Sequence, residues 1–123
     1  MNVSPARTTL PDNHISLTVS ARRSVATLEI RGEWDLAAEP VFAARTREAL
    51  STDCRHLVID LRHAEFIDST GLKRLLELEA HSRQDGFRLW IVASSHHAVR
   101  TVLRTTGVDR MLPLVEQPPD LAA

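Results

Sequence analysis

The chain opens on alternation: Ile15, Leu17 and Val19 are separated by Ser16, Thr18 and Ser20. A period of two is that of a half-buried strand. Ala21–Ser24 reads as a turn. Val25, Leu28 and Ile30 read as a second strand, slightly out of phase around Ala26 and Thr27, so the two predict a hairpin. Gly32-Glu33-Trp34-Asp35 ends that strand, with glycine allowing a bend that residues with a Cβ resist. Ala38-Glu39-Pro40 then starts a helix, since proline is tolerated in a first turn. Ala38, Phe42, Ala49 and Leu50 fall on one side of it, and Arg45, Arg47 and Glu48 lie away from that side.

After a polar linker over residues 51–55, Leu57-Val58-Ile59-Asp60-Leu61 is an apolar run of buried-strand length. Arg62–Glu65 reads as a polar connector, and Phe66 and Ile67 as residues that require burial. Leu72, Leu75, Leu76 and Ala80 are spaced as the buried stripe of a helix, with Leu78 to one side and Glu79 reaching its rim, because a lone buried carboxylate is costly. Asp85-Gly86 ends this helix. Leu89–Val92 is an interior strand. Ser94 and Ser95 stand as caps before a helix carrying Val99, Val102 and Leu103, which Gly107 stops. Leu112–Val115 predicts an edge strand, and Gln117-Pro118-Pro119 begins a tail that does not readily extend it.

The order is ββαβαβαβ. Strands alternating with helices imply crossovers and mostly parallel pairing, with the hairpin adding antiparallel pairing. The expected fold is a single α/β domain over residues 13–116, with a mixed four- to five-stranded sheet and helices packed against it. Residues 1–12 are a flexible tail and residues 117–123 a second one.

Composition narrows the function classes. A hydrophobic share of 43% in 123 residues is that of one folded domain. A net charge of −1 gives no general reason to expect nucleic-acid binding. Arginine supplies all the basic residues except Lys73. Cys54 is alone, a free thiol consistent with the cytoplasm. No apolar run approaches the length of a membrane span, and no metal-ligand spacing occurs.

The chemistry concentrates at Asp68-Ser69-Thr70-Gly71. Each of the first three is a good N-cap, because its side-chain oxygen can accept from free N–H groups of a first turn. Such a cluster often does nothing more. Here three capping types stand where one suffices, beside a glycine that leaves the first turn open, at the positive end of a helix suited to an anion.

LVIDL, then FIDSTGL, with Gly32-Glu33-Trp34-Asp35-Leu36 upstream, resembles the STAS domain of anti-sigma factor antagonists over roughly residues 14–116. The resemblance implies that Ser69 is phosphorylated by a partner kinase, with Thr70 as a possible second site. It also implies that Glu33, Asp35, Asp68, Ser69, Thr70, Gly71, Leu72 and Lys73 form the partner surface. The unphosphorylated protein would bind a kinase-type anti-sigma factor and release a sigma factor for transcription, as in bacterial stress responses; phosphorylation would reverse this, and a phosphatase would reset it. Lys73 and Arg74 depart from the small and apolar residues usual after the family's Gly-Leu. ATP would belong to the kinase, and no cofactor is expected, because no phosphate-cradling glycine loop is present.

The alternative within the same fold is a fixed subunit of a stress-sensing assembly or of a lipid transporter. An enzyme is not expected. Ser69 lacks the strained GxSxG turn of a hydrolase nucleophile, and His63 reads as a loop residue.

Overall fold

A computed structural model describes residues 14–20 and 23–121. The predicted N-terminal tail and the first half of the hairpin turn, Ala21 and Arg22, lie outside the described residues. Five strands form one sheet: β1 (His14–Ser20), β2 (Val25–Trp34), β3 (His56–Ile67), β4 (Arg88–Val92) and β5 (Leu114–Val115). They stand side by side in chain order. β1 is antiparallel to β2, and the remaining pairs are parallel. Three helices connect them: α1 (Glu39–Leu50), α2 (Ser69–Asp85) and α3 (His97–Thr105). The order is the expected ββαβαβαβ, with short 3₁₀ turns before α1 and after α3.

The core is one cluster. Leu28 and Ile30 of β2, Leu57, Ile59 and Leu61 of β3 and Ile91 of β4 meet Phe42 and Ala49 of α1, Leu75 and Leu78 of α2, and Val99 and Leu103 of α3. Side chains alternate across a strand, so Val58, Asp60 and Arg62 face the other way. On that side Pro118, Pro119 and Leu121 of the C-terminal tail line a shallow cavity together with Thr18, Thr27 and Asp60.

Strands β2 and β3 are longer than expected. Gly32–Trp34 continues β2, and the polar segment Arg62–Glu65 continues β3, so His63 is a strand residue and not a loop residue. The two extensions pair with each other, from Arg31 opposite His63 to Trp34 opposite Ile67. A neighbouring strand satisfies the N–H and C=O groups of a polar segment as well as those of an apolar one. Two irregularities in register occur along the way, each giving β3 one more residue than β2. The second leaves Glu65 without a partner in the ladder. Such a bulge breaks the period of two. Glu65 and Phe66 are therefore both exposed between buried Ala64 and buried Ile67. Phe66 does not enter the core.

The buried stripe of α2 is Gly71, Leu75, Leu78 and Ser82. It is rotated from the expected one: Leu78 is buried, Leu72 and Leu76 are half-buried, and Ala80 is exposed. The reason is that the stripe begins at Gly71. Glu79 lies at the rim, bonded to Arg83 at 2.9 Å. Ser94 and Ser95 do not cap α3, whose N-cap is His96. The Ser94 hydroxyl donates to the Ala64 carbonyl at 2.8 Å and accepts from the His96 N–H, while Ser95 donates to the Arg62 carbonyl. Both serines fasten the β4–α3 connection to β3.

Asp60 is 4% exposed and is held by Arg62, whose Nε and Nη2 donate to its two oxygens and whose backbone N–H donates to Oδ1. Burial raises the carboxyl's pKa, but these hydrogen bonds outweigh it and leave the group below its ordinary value. Its contribution to stability is then complete above the unfolded-state value of about 3.9, and it is lost as pH falls through the lower folded-state value. Asp60→Asn is expected to flatten the acid limb of a stability-against-pH curve below about pH 4. Urea melts across that range check this, and an unchanged acid limb would exclude it.

Candidate functional site

The ends of β2 and β3 and the starts of the two following helical segments meet at one corner. The Asp68 N–H donates to the Trp34 carbonyl at 3.2 Å, which continues the β2–β3 ladder one step beyond the strands. Each chain then turns on an aspartate. Asp35 Oδ1 accepts from the Ala37 N–H at 3.0 Å and caps the 3₁₀ turn Leu36–Ala38. Asp68 is extended, and its Oδ1 accepts from Thr70 and Gly71 N–H groups at 2.9 and 3.2 Å, capping α2. The rivalry between capping and another role is thereby divided among residues. Asp68 alone makes the cap. Ser69 is the first helical residue and is exposed, so its hydroxyl is left over at a helix N-terminus.

The floor of the corner is Trp34, which is fully buried. Its ring stacks on Phe42 of α1, centroids 4.7 Å apart and tilted by 39°. Gly71 lies against the same ring. A Cβ built on Gly71 would stand 2.7 Å from Ile67 Cγ1 and 3.1 Å from Trp34 Cδ2. Gly71 is thus buried, and its small size admits Trp34 and Ile67, not a visitor. The expectation that it leaves the first turn open does not hold. Gly71→Ala is expected to destabilise the protein by about 1–2 kcal/mol, because overpacking between buried neighbours outweighs alanine's better helix propensity. A denaturant melt reads this directly, and a gain in stability would contradict the packing.

The other sequence-predicted residues distribute as follows. Glu33 and Lys73 are exposed, and Asp35, Thr70 and Leu72 are half-buried. Glu33 pairs in register with Phe66. Arg74 is not free: it forms ion pairs with Glu39 at the start of α1 and with Glu77 one turn further along α2. That clamp ties the N-terminal ends of α1 and α2 together behind the corner. It leaves Lys73 as the cation that faces solvent beside Ser69, one helical turn on.

Three surface residues escaped the sequence pattern: Leu36, Glu65 and Phe66. Leu36 is 69% exposed and Phe66 43%. The one available signal was Glu65 beside Phe66 in a stretch that breaks alternation. Cys54 is half-buried against the core, and burial pushes its thiol pKa up, which disfavours the reactive thiolate. Among the described residues, no group of three or more His, Cys, Asp or Glu is placed to hold a metal ion. Likewise, no helix there is long and apolar enough to cross a membrane.

Known proteins resemble this chain in sequence and in fold. The family described as "Mlab, STAS domain" matches residues 17–116. The anti-sigma-F factor antagonist RsfB of Mycobacterium tuberculosis is 40% identical over 65 residues, 53% of this chain and 52% of that protein. The match thus spans about half the length of the curated relatives. A crystal structure of an anti-sigma factor antagonist from Mycobacterium paratuberculosis superposes with a TM-score of 0.69 at 27% identity, covering 90% of this chain and 92% of that one. The anti-sigma factor antagonist SpoIIAA in its unphosphorylated form superposes with a TM-score of 0.70 at 18% identity, over 87% of this chain and 90% of its own. At that identity the likeness is one of fold.

Proposed function

Because the chain belongs to the STAS domain family, we propose that it is a cytoplasmic anti-sigma factor antagonist switched by phosphorylation of Ser69. It is a binding protein and not an enzyme. The observation that carries this is the division of labour at the corner: Asp68 satisfies the helix N-terminus, and the Ser69 hydroxyl beside it is exposed. The names of the mycobacterial relatives support the same reading.

Unmodified, the corner is a docking face for a kinase-type anti-sigma factor, which then cannot hold its sigma factor. Docking places Ser69 where the kinase holds the γ-phosphate of ATP. Transfer adds about −1.5 to −2 charge to Ser69. The fold tolerates this, since a helix N-terminus favours an anion by about 0.3–1 kcal/mol. An acid one turn before a lysine on a helix is also favourable, which places Lys73 suitably for the phosphoserine. The interface does not tolerate it, because the dianion now faces the nucleotide's own phosphates at the point of contact. A phosphatase restores the binding form.

The test is to incubate the protein with the kinase-type anti-sigma factor and ATP and to map the modified residue by mass spectrometry. Modification at Ser69, lost in Ser69→Ala while binding persists, is the expected result. Modification that leaves both Ser69 and Thr70 bare would overturn the assignment. The exposed Lys73 keeps a second reading in view, that of a fixed subunit in a stress-sensing assembly or a lipid transporter. A stable complex indifferent to ATP would favour it.

A further inference from the structure

Four large apolar side chains are exposed among the described residues: Val19, Leu36, Phe66 and Met111. Single exposed apolar residues are ordinary. Two of these four, however, belong to the corner that carries Ser69. Leu36 lies two residues beyond the Trp34 end of β2, and Phe66 lies next to Ile67, the residue paired with Trp34. Folding has not overlooked Phe66: a bulge in β3 turns it outward between two buried neighbours.

Charge at the same corner is one-sided. Residues 32–38 and 64–70, the two segments that build it, contain Glu33, Asp35, Glu65 and Asp68 and no Lys or Arg. A chain with net charge −1 thus carries four carboxylates on the same two segments as two exposed apolar side chains. The cations nearest in sequence are already engaged or set aside: Arg31 pairs with Glu29, Arg62 with Asp60, and Lys73 stands a turn along α2.

We propose that Leu36 and Phe66 are the apolar anchors of the docking corner, and that the partner surface they enter is an apolar pocket bordered by Arg or Lys. This rests on the antagonist reading and adds the chemistry of the partner's face. The anchors supply the desolvated centre in which a few residues carry most of the affinity. The carboxylates supply steering, which raises the association rate and weakens with salt. Ser69 sits inside the footprint but belongs to neither part, so a phosphate there meets nucleotide and not the basic border.

The experiment is titration calorimetry and stopped-flow association with the kinase-type anti-sigma factor in its ADP form. Leu36→Ala and Phe66→Ala are each expected to weaken binding by about tenfold or more, while Val19→Ala and Met111→Ala leave it unchanged. Leu36 is so exposed that its truncation should not alter the thermal melt, which keeps the test independent of folding defects at Phe66. The double variant Glu33→Gln with Glu65→Gln is expected to slow association and flatten its salt dependence. Wild-type binding retained by both anchor variants, or an unaltered salt dependence in the charge variant, overturns this inference and leaves the antagonist reading standing. A wild-type protein that neither binds the anti-sigma factor nor is phosphorylated by it overturns both.

Discussion

Phosphoserine at position 69 is expected to weaken binding to the anti-sigma factor by about a thousandfold, with no loss of thermal stability. Burying a charge without compensation costs several kcal/mol, and each ~1.4 kcal/mol is a factor of ten in affinity. Stability survives because the cap of α2 is made by Asp68 Oδ1 and does not use the serine hydroxyl. The modified residue is exposed, so adding to it displaces no packed atom. Calorimetry on protein phosphorylated to completion measures the affinity, and a thermal melt of the same sample measures the fold. A loss of less than about tenfold would mean that the phosphate is accommodated at the interface, and the switch would then need another mechanism. A melt lowered by many degrees would mean that Ser69 shares the structural burden assigned here to Asp68.

Trp34→Ala is expected to be the most damaging substitution at the corner, destabilising by about 3–5 kcal/mol. Whole domains are stable by only about 5–15 kcal/mol, so much of the population would unfold under mild denaturant. The ring is fully buried, stacks on Phe42 and supports Gly71. Trp34→Phe separates packing from polarity. The indole N–H is buried and has no hydrogen-bond partner among the described residues. Removing it relieves an unsatisfied donor, so phenylalanine should retain most of the stability that alanine loses. Urea melts of the two variants decide the matter. Equal losses in both would mean that a smaller aromatic ring does not fill the site and that the full indole volume is required. A double-mutant cycle with Gly71→Ala adds a geometric check. Trp34 is among the side chains nearest to a Cβ at 71, so the alanine should be less harmful once the ring is gone.

Both predictions depend on features of unequal legibility in the sequence. Alternation over Ile15–Val19, the apolar runs at Leu57–Leu61 and Leu89–Val92, and the helical spacing between them determined the order of elements and their parallel pairing. Local periodicity carries that information because each element must bury one face whatever its neighbours are. The motif Asp68-Ser69-Thr70-Gly71 likewise announced a helix start with more polar side chains than a cap uses. What it did not reveal is which oxygen makes the cap. That depends on the extended backbone of Asp68, which the end of the β2–β3 ladder imposes.

The limits of β2 and β3 are not legible locally for a related reason. Polar stretches such as Arg62–Glu65 look like loops until a partner strand is present to take their backbone hydrogen bonds, and that partner lies some thirty residues away in the chain. Hydrophobicity alone places Phe66 in the core; a bulge, which is a property of two strands in register, turns it to solvent. A glycine at position 71 reads locally as an opening, and only the approach of Trp34 and Ile67 from other elements shows it to be a packing contact. The sequence by itself therefore determined the elements, their order and the chemical identity of the corner. The tertiary structure alone decided which of its residues are floor, cap and exposed surface, because those roles arise from contacts between segments that no local pattern encodes.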